Sequence, residues 1–386
     1  MLYAARETLE QSVASLQVAG LTEQMRRPVE QSKKTVLYRE ANGMQHEIEL
    51  PLTSRVDISE IVRQLQLPNY VDTEYFPMQT AVLAIWASDR AQELRRLYPE
   101  AFKELRTRAS ISALLLGGAS LKLRCRHANG SGPLSRRIDD VDFTVPKAQG
   151  ADFYKLLLNM HKAFGTQFTF FGTTGDKTFN ALNEGRRYRI RTINGLAETG
   201  LPMVCASDIF CDHMNLRHKI DVRDSYEEAR ANLHTISLEN IILSKSQFIT
   251  DVPRTDLDSL SEHHQTFRVI PYTYYRPDRI ILGMEEKDAK DICALFLDHK
   301  IGEGHDEVNA SKLTKVLEKD NKLAMTVTMN LSNLTVRVGK LQEWLNDSEL
   351  STVLTRLNEL LRLLPKIDKK WNRPWWNVDV ETPSLK

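Results

Sequence analysis

The sequence predicts an α+β protein in which a mixed β-sheet with helices packed on it is followed by a bundle of helices. Between Leu114 and Val222, short strand-like segments alternate with helical ones, and this order is typical of helices packed on a mixed sheet. From Ser237 onward, apolar residues recur at helical spacing, most clearly in the leucine-rich stripe that ends at Leu364. The second region is therefore predicted to be a helical bundle.

The chain is predicted to have three consecutive segments. Residues 1–90 form an accessory α+β region, residues 91–236 the sheet core, and residues 237–386 the helical domain. We find no internal repeat and no low-complexity tract. The segment over 250–276, which contains prolines and a pair of histidines, predicts a long loop or an insertion.

The accessory region has two recognisable patterns. Apolar side chains at helical spacing predict an exposed amphipathic helix over 5–27. Two strand-like runs flank Asn42 and Gly43, a dipeptide that accepts positive φ at both turn positions, and they predict a β-hairpin over 35–52.

Short patterned segments also predict the elements of the core and the start of the helical domain. The strand-like segments are LLLGG, IDDVDFTV, TQFTFF, RYRIRTI and MNLRHKIDV. The helical segments are SLKLR, FYKLLLNMHKAF, SLENIILSKSQF and EEKDAKDICALFLDHK. A strand, a glycine turn, a helix and a second strand thus follow one another at the start of the core.

The composition excludes several classes of protein. The chain has 386 residues, 41% of them apolar, and 52 basic against 51 acidic residues leave a net charge of +1. Any anionic partner must therefore bind a local patch. The four cysteines are too few for a disulfide framework, and the first residues lack the apolar core of a signal peptide. Since no apolar run approaches the roughly 20 residues of a membrane-spanning helix, we expect a cytoplasmic protein without a membrane partner.

The sharpest chemical pattern is a glycine pair followed by two aspartates. Asp140 and Asp142 are two residues apart in a predicted strand, so both carboxylates lie on one face, where their repulsion is costly unless a cation lies between them. Magnesium suits such ligands and leaves coordination sites for substrate phosphates. Gly117 and Gly118 let the backbone approach an anion, and Ser120 adds a hydroxyl near the free N–H groups of a helix start.

These residues resemble a known family. LLLGGASLKL followed by RRIDDVDFTV resembles the glycine-rich turn and D-h-[DE]-h strand of the nucleotidyltransferase superfamily, and in particular its AbiEii/MenT-like branch of type IV toxins. SLENIILSK resembles the lysine-bearing helix of that branch, and EKDAKDI resembles its later K-D-x-x-D helix. The resemblance covers about half of the chain, in the same order. This sequence differs from the family pattern in having a longer loop before Asp140 and in lacking an arginine before the K-D pair.

The resemblance implies a nucleotidyltransferase-fold core and a Mg²⁺- or Mn²⁺-dependent reaction. A nucleoside monophosphate would pass from an NTP, the substrate, to an acceptor hydroxyl, with release of pyrophosphate. Asp140 and Asp142 would bind the metal, and Asp288 would be a further catalytic residue. Lys245 would be catalytic and would also bind the nucleotide, and the other residues implied at the nucleotide are Gly117, Gly118, Ser120, Arg136, Arg137 and Asp291.

The partners are implied by the resemblance alone. They are a tRNA 3′ end as acceptor and an antitoxin, in a toxin–antitoxin or phage-defence setting. Nucleotidylation of a protein or small molecule is the alternative reaction. A non-catalytic module that binds a nucleotide or a partner through the same fold is the alternative class.

Asp221 is the candidate for a third metal carboxylate, which is common in this superfamily on a neighbouring strand. Strand alternation puts it on the face opposite Ile220 and Val222. The alternative is an exposed aspartate at a strand end, paired with Lys219 or Arg223 in a bridge that contributes on the order of 1 kcal/mol or less.

The lysine and the basic residues also have two interpretations. Lys245 lies in an apolar helix, where it either reaches the triphosphate or extends to the surface. Asp288 and Asp291 share one helical face, where they either position the lysine or cap the helix start. Two basic groups, which would bind a second anionic substrate or form solvated faces, are Lys122, Arg124, Arg126, Arg136 and Arg137, and Arg187, Arg189 and Arg191. The C-terminal WNRPWW is predicted to anchor the tail by burying aromatic surface.

Overall fold

The structure, a computed structural model, describes most of the chain. The described residues are 33–39, 45–51, 58–107, 109–163, 176–196, 202–228, 234–259, 268–269, 278–367 and 374–378. The predicted helix over 5–27 and the predicted strand TQFTFF lie outside them.

The described helices and strands occur in mixed order up to β11, and the described elements after it are all helices. The strands are β1 (Lys33–Arg39), β2 (Gln45–Pro51), β3 (Leu114–Leu115), β4 (Phe143–Val145), β5 (Arg187–Leu196), β6 (Pro202–Cys211), β7 (His213–Asn215), β8 (Lys219–Asp221), β9 (Thr250–Pro253), β10 (Arg268–Val269) and β11 (Arg279–Leu282). The helices are α1 (Ile58–Gln64), α2 (Phe76–Asp89), α3 (Ala91–Leu97), α4 (Pro99–Phe102), α5 (Gly117–Arg124), α6 (Gly150–Ala163), α7 (Lys177–Leu182), α8 (Arg223–Glu228), α9 (Leu238–Ser246), α10 (Glu286–Asp298), α11 (Ala310–Lys319), α12 (Asn321–Thr335), α13 (Val338–Leu341) and α14 (Asp347–Leu363). Among the described helices, none is both long enough and apolar enough to cross a membrane.

The chain divides into two compact units. The first comprises Met1–Leu115 and Ile138–Asp212, and the second comprises Leu116–Arg137 and His213–Lys386. Both units combine helices with strands, which confirms the predicted α+β class. All of the predicted helical domain belongs to the second unit, whose helices are accompanied by the short strands β7 to β11.

A four-stranded mixed sheet with the order β3-β4-β6-β5 organises the first unit. β4 runs parallel to β6, whereas β3 and β5 are antiparallel to their neighbours. Helix α6 packs on this sheet, where the buried rings of Phe143 and Phe153 meet edge to face with centroids 5.2 Å apart. Helix α2 is buried on nearly every side, as expected for a helix that is apolar all round.

The strands of the predicted N-terminal hairpin are confirmed. β1 and β2 pair antiparallel, and the last pair of the register is Arg39 with Gln45. The turn residues Asn42 and Gly43 lie outside the described residues.

Helices α9, α10, α12 and α14 contact one another in the second unit and bury their apolar faces. α9 begins behind Ser237, whose hydroxyl accepts a hydrogen bond from the Asn240 N–H at 3.2 Å, as its position before the apolar run predicts. α14 begins with a capping box formed by Asn346 and Glu349. The predicted leucine-rich stripe forms the buried side of α14.

One prediction in this unit is wrong, and a second is wrong in part. MNLRHKIDV forms the hairpin β7–β8 instead of one strand, because Leu216 donates to the His218 carbonyl at 3.1 Å and closes a turn. The segment over 250–276 does not begin as a loop, because β9 joins β11 in a three-stranded sheet and buries Val252 beside Ile280 and Leu282.

The C-terminal tryptophans anchor the chain end, as predicted. Trp375 and Trp376 are buried in a cluster with Ile249, Ile281 and Met325. The Trp375 indole N–H donates to the Thr326 hydroxyl at 2.9 Å, so the polar atom of this buried side chain is satisfied.

Candidate active site

The predicted aspartate pair lies directly before β4 in the first unit. Val141, between the two aspartates, is fully buried and donates its N–H to the Ala206 carbonyl on β6 at 3.0 Å. Asp140 forms an isolated parallel bridge with Ala206. Because Val141 points into the core, the two aspartates face away from it, and Asp140 is exposed while Asp142 is half-buried.

A third carboxylate, Asp208 on β6, completes this group in the first unit. β4 and β6 pair Phe143 with Ile209, so the register places Asp142 beside Asp208. The Asp208 N–H donates to Asp142 Oδ1 at 3.2 Å. Asp140, Asp142 and Asp208 are called the carboxylate cluster below.

Sequence reasoning missed Asp208. It was detectable as the one acidic residue in the otherwise uncharged strand PMVCASDIFC, between the buried Ser207 and Ile209. Strand alternation puts its side chain on the face opposite those two residues.

The carboxylate cluster has an unfavourable excess of negative charge. Burial, together with the charges of Asp140 and Asp208, raises the pKa of Asp142 to about 8. An aspartate with this pKa retains its proton at neutral pH unless positive charge is supplied. Hard oxygen ligands whose ionisation needs a nearby cation fit a Mg²⁺ or Mn²⁺ ion. In the part of the chain that the structure describes, however, no three or more His, Cys, Asp or Glu side chains are already arranged to hold a metal ion.

Two arginines of β5 bind Asp208. Arg187 forms an ion pair with Asp208 Oδ2 through Nη2, and Arg189 Nε lies 3.0 Å from Asp208 Oδ1. Antiparallel pairing of β5 with β6 sets Arg189 directly opposite Asp208. These arginines belong to the group for which sequence analysis predicted an anionic substrate or a solvated face, and the anion they meet in the structure is Asp208.

Asp221, the predicted third metal carboxylate, lies in the second unit at the end of β8. Arg223 Nη2 lies 2.5 Å from Asp221 Oδ2, and its hydrogen bonds hold the pKa of Asp221 below the usual value. The structure therefore gives Asp221 the strand-end ion pair that was the alternative interpretation. The third carboxylate found beside Asp142 is Asp208 instead.

The predicted glycine turn opens α5. Gly117 is the first residue of the helix and has φ of +55°, a conformation that favours glycine. Ser120 is fully buried, and its hydroxyl donates to the Gly117 carbonyl at 3.1 Å. Its side chain therefore stabilises the turn, and the groups suited to an anion are the backbone N–H groups of the first turn.

Lys245 and its predicted partners form a second ionic group, in the second unit. Lys245 Nζ lies 3.0 Å from Asp288 Oδ1 and 2.6 Å from Asp291 Oδ2. Arg136 Nη2 lies 2.8 Å from Asp291 Oδ2, and Arg136 Nε lies 3.2 Å from Oδ1. Lys245, Arg136, Asp288 and Asp291 are called the lysine cluster below. Of the two interpretations of Asp288 and Asp291, the structure supports the one in which they position Lys245.

The pKa shifts of the lysine cluster reflect a balance of charge. Burial lowers the pKa of Lys245, but the charges of Asp291 and Asp288 raise it by more than burial lowers it. The net shift of the pKa is therefore upward. Burial raises the pKa of Asp291, and Lys245 and Arg136 reverse that effect, so that it lies below the usual value. The pKa of Asp288 is raised by burial, against the opposing effect of Lys245. Lys245 is therefore charged at neutral pH and held by ion pairs.

Comparison with known proteins gave no relative. The chain matches no protein-family model, no curated protein and no solved structure.

Proposed function

We propose that this protein is a Mg²⁺-dependent nucleotidyltransferase with a nucleotidyltransferase-fold core. It would transfer a nucleoside monophosphate from an NTP to an acceptor hydroxyl. In this reaction a bond forms between the acceptor oxygen and the α-phosphorus, and the bond to the β-phosphate oxygen breaks, so that pyrophosphate leaves.

The observation that carries the proposal is the carboxylate cluster at the start of β4, where this strand pairs parallel with β6. Burial and the charges of Asp140 and Asp208 raise the pKa of Asp142 to about 8, and a cation bound there would favour its ionised form. A divalent ion held there would neutralise the triphosphate and lower the pKa of the attacking hydroxyl. Asp142 and Asp140 would hold that ion, and the Asp208 backbone N–H orients Asp142.

The second unit carries the other groups that the resemblance assigns to the nucleotide. The N–H groups at the start of α5, such as that of Gly118, are suited to bind phosphate oxygens. The role that the sequence resemblance implies for Lys245 is to bind phosphate, with Asp288 and Asp291 fixing its ammonium group. A tRNA 3′ end as the acceptor, and an antitoxin as a partner, rest on the sequence resemblance.

The test is a labelling reaction with matched variants. Purified protein is incubated with each α-labelled NTP, Mg²⁺, and total tRNA or a cell-protein extract. The Asp140→Ala/Asp142→Ala double variant removes two of the three carboxylates of the cluster, and Asp139→Ala removes an exposed carboxylate from the preceding residue as the matched control. We expect label on one acceptor class with the wild type and the control, and none with the double variant.

Other outcomes are equally informative. Label on protein alone would replace tRNA by a protein acceptor and keep the enzyme class. Label that persists in the double variant would assign the activity to a contaminant and overturn the proposal.

A non-catalytic nucleotide-binding module is the second candidate. It is favoured by the ion pairs that engage both Asp208 and Lys245. An NTP-dependent rise in thermal stability, without label on any acceptor, would support this module against the enzyme.

A further inference from the structure

Asp208 is held by a pair of arginines whose own positions are built into the first unit. The ring of Phe179 on α7 lies under both guanidinium groups, 5.3 Å from that of Arg187 and 4.2 Å from that of Arg189. The ring of Phe210 lies 4.6 Å from the Arg187 guanidinium. This stacking keeps the two cations aimed at one carboxylate.

The backbone that carries the arginines is also fixed. Asp176 caps α7 by accepting from the Phe179 N–H at 2.8 Å. The Asn180 side chain then bonds to both backbone groups of Arg189, accepting from its N–H at 2.6 Å and donating to its carbonyl at 3.0 Å. α7 and β5 are thereby joined at the residue that faces Asp208.

The arginines use most of the hydrogen-bonding capacity of Asp208. A carboxylate offers about four acceptor sites. Arg187 Nη2 and Arg189 Nη2 both point to Oδ2, the latter at 3.5 Å, and Arg189 Nε points to Oδ1 at 3.0 Å. A metal ion that recruits Asp208 would therefore compete with these guanidinium groups for its oxygens.

We propose that Arg187 and Arg189 form a clamp that competes with the divalent cation for Asp208 and thereby lowers the metal affinity of the carboxylate cluster. Without a metal, the clamp supplies positive charge to Asp208 and leaves Asp140 and Asp142 as the ligands first met by an arriving ion. With an ion bound, Asp208 would exchange arginine contacts for the metal. The carboxylate cluster would therefore bind a divalent ion weakly by itself.

This inference rests on the proposed metal site. It predicts a change in metal affinity of opposite sign to the change expected if the arginines had only a structural role. If the arginines only held Asp208 in place, removing one of them would weaken metal binding. If they compete with the metal, removal strengthens it. The sign of the change is independent of catalysis.

The experiment is a titration of the nucleotide-free full chain with Mn²⁺, followed by the electron paramagnetic resonance signal of the free ion. We expect Arg189→Gln to lower the Kd for Mn²⁺ at least about fivefold, which corresponds to about 1 kcal/mol. Arg189→Lys keeps the charge and should remain close to the wild type. Arg96→Gln, which removes an exposed arginine of α3 in the same unit, is the control for overall charge and should change nothing.

A second pair of variants shows whether the effect passes through Asp208. Arg189→Gln should produce no gain in affinity when Asp208 is already Asn, since the clamp then has no carboxylate to withhold. Should Arg189→Gln fail to fold, Phe179→Leu removes the ring beneath both guanidinium groups without a change of charge, and the Kd for Mn²⁺ should again fall.

The outcomes separate the clamp from the proposed function. Mn²⁺ binding that Asp142→Asn abolishes and that Arg189→Gln leaves unchanged or weakens would overturn the clamp and leave the metal site intact. Absence of Mn²⁺ binding in the wild type and in both the arginine and phenylalanine variants would overturn the metal site itself. A gain in affinity that persists in the Asp208→Asn background would reduce the arginines to a general electrostatic effect and would also overturn the clamp.

Discussion

The carboxylate cluster and the lysine cluster are built from the same chemistry and differ in their balance of charge. In the first, two guanidinium groups both face Asp208, and Asp142 has a pKa raised to about 8. In the second, Lys245 and Arg136 meet two carboxylates, and the pKa of Asp291 is lowered although it is buried.

The difference shows how the pKa shifts of a buried ionic group reflect whether its charges are balanced. Burial penalises every charge, so a cluster is self-sufficient only when its own counter-ions repay that penalty. The lysine cluster does this for Lys245 and Asp291, although burial keeps the pKa of Asp288 raised, and it is expected to be held together without a ligand. The carboxylate cluster does not, and it is expected to gain from an added cation.

We expect the largest change in stability when a substitution breaks the charge balance of the lysine cluster. Lys245→Met leaves Asp288 buried without its ion-pair partner and should lower the free energy of unfolding by about 3–5 kcal/mol. Thermal and denaturant unfolding measure this. Lys245→Met/Asp288→Asn removes both partners and should recover much of the loss. A double variant as unstable as the single one would show that packing of the lysine stem, not charge balance, stabilises this region.

Removing a charge from the carboxylate cluster should have the opposite effect and should stabilise the protein. Because the folded pKa of Asp142 lies above its ordinary value of 3.8, the folded state retains a proton that the unfolded state has released, and stability falls as the pH rises towards about 8. With metals removed by EDTA, Asp142→Asn should therefore stabilise the protein at pH 8 and should do so much less at pH 5.

Melting curves at the two pH values test this, with the exposed Asp139→Asn as control. Destabilisation by Asp142→Asn at pH 8 would mean that the arginines already balance the carboxylate cluster, and the contrast with the lysine cluster would disappear.

The buried His218 adds a third case to the comparison, because its ring forms a hydrogen bond with a neutral side chain. Burial lowers the pKa of His218 to about 4, and its Nε2 lies 2.8 Å from the Thr326 hydroxyl. Since the unfolded side chain binds a proton near pH 6.5 and the folded one does not, stability should fall as the pH drops from about 6.5 towards 4. The expected loss between pH 7.5 and 5 is about 1–2 kcal/mol.

His218→Gln should flatten that part of the pH profile of unfolding. An unchanged slope in the variant would assign the acid sensitivity to other groups.

The smallest effect is expected at Asp221, whose pair with Arg223 is solvent-exposed on both sides. Asp221→Asn should change the free energy of unfolding by less than about 1 kcal/mol and should leave nucleotide labelling at the wild-type level. Loss of labelling in a normally folded Asp221→Asn protein would restore Asp221 as a functional carboxylate. Asp208→Asn, measured in parallel, is expected to reduce labelling.

Much of the site could be predicted because its signals are local. The spacing of Asp140 and Asp142 placed both on one side of a strand-like segment, and the glycine pair marked a turn that the structure shows at Gly117. Asp288 and Asp291 were correctly placed on one helical face, and their contact with Lys245 followed one of the two interpretations. Asp208 was missed because its significance depends on a parallel pairing between strands that are far apart in the sequence.

The sequence by itself determined the local elements of this protein: the α+β class, the hairpin strands, the capped helices and the residue types of both ionic clusters. These follow from periodicity, capping and turn chemistry, which act over a few residues. The tertiary structure decided which charges meet. Strand register brought Asp208 to Asp142 and the β5 arginines to Asp208, while helix packing brought Lys245 to its aspartates. The balance of charge in a buried cluster depends on such long-range neighbours, because each ion is stabilised only by those within a few ångströms.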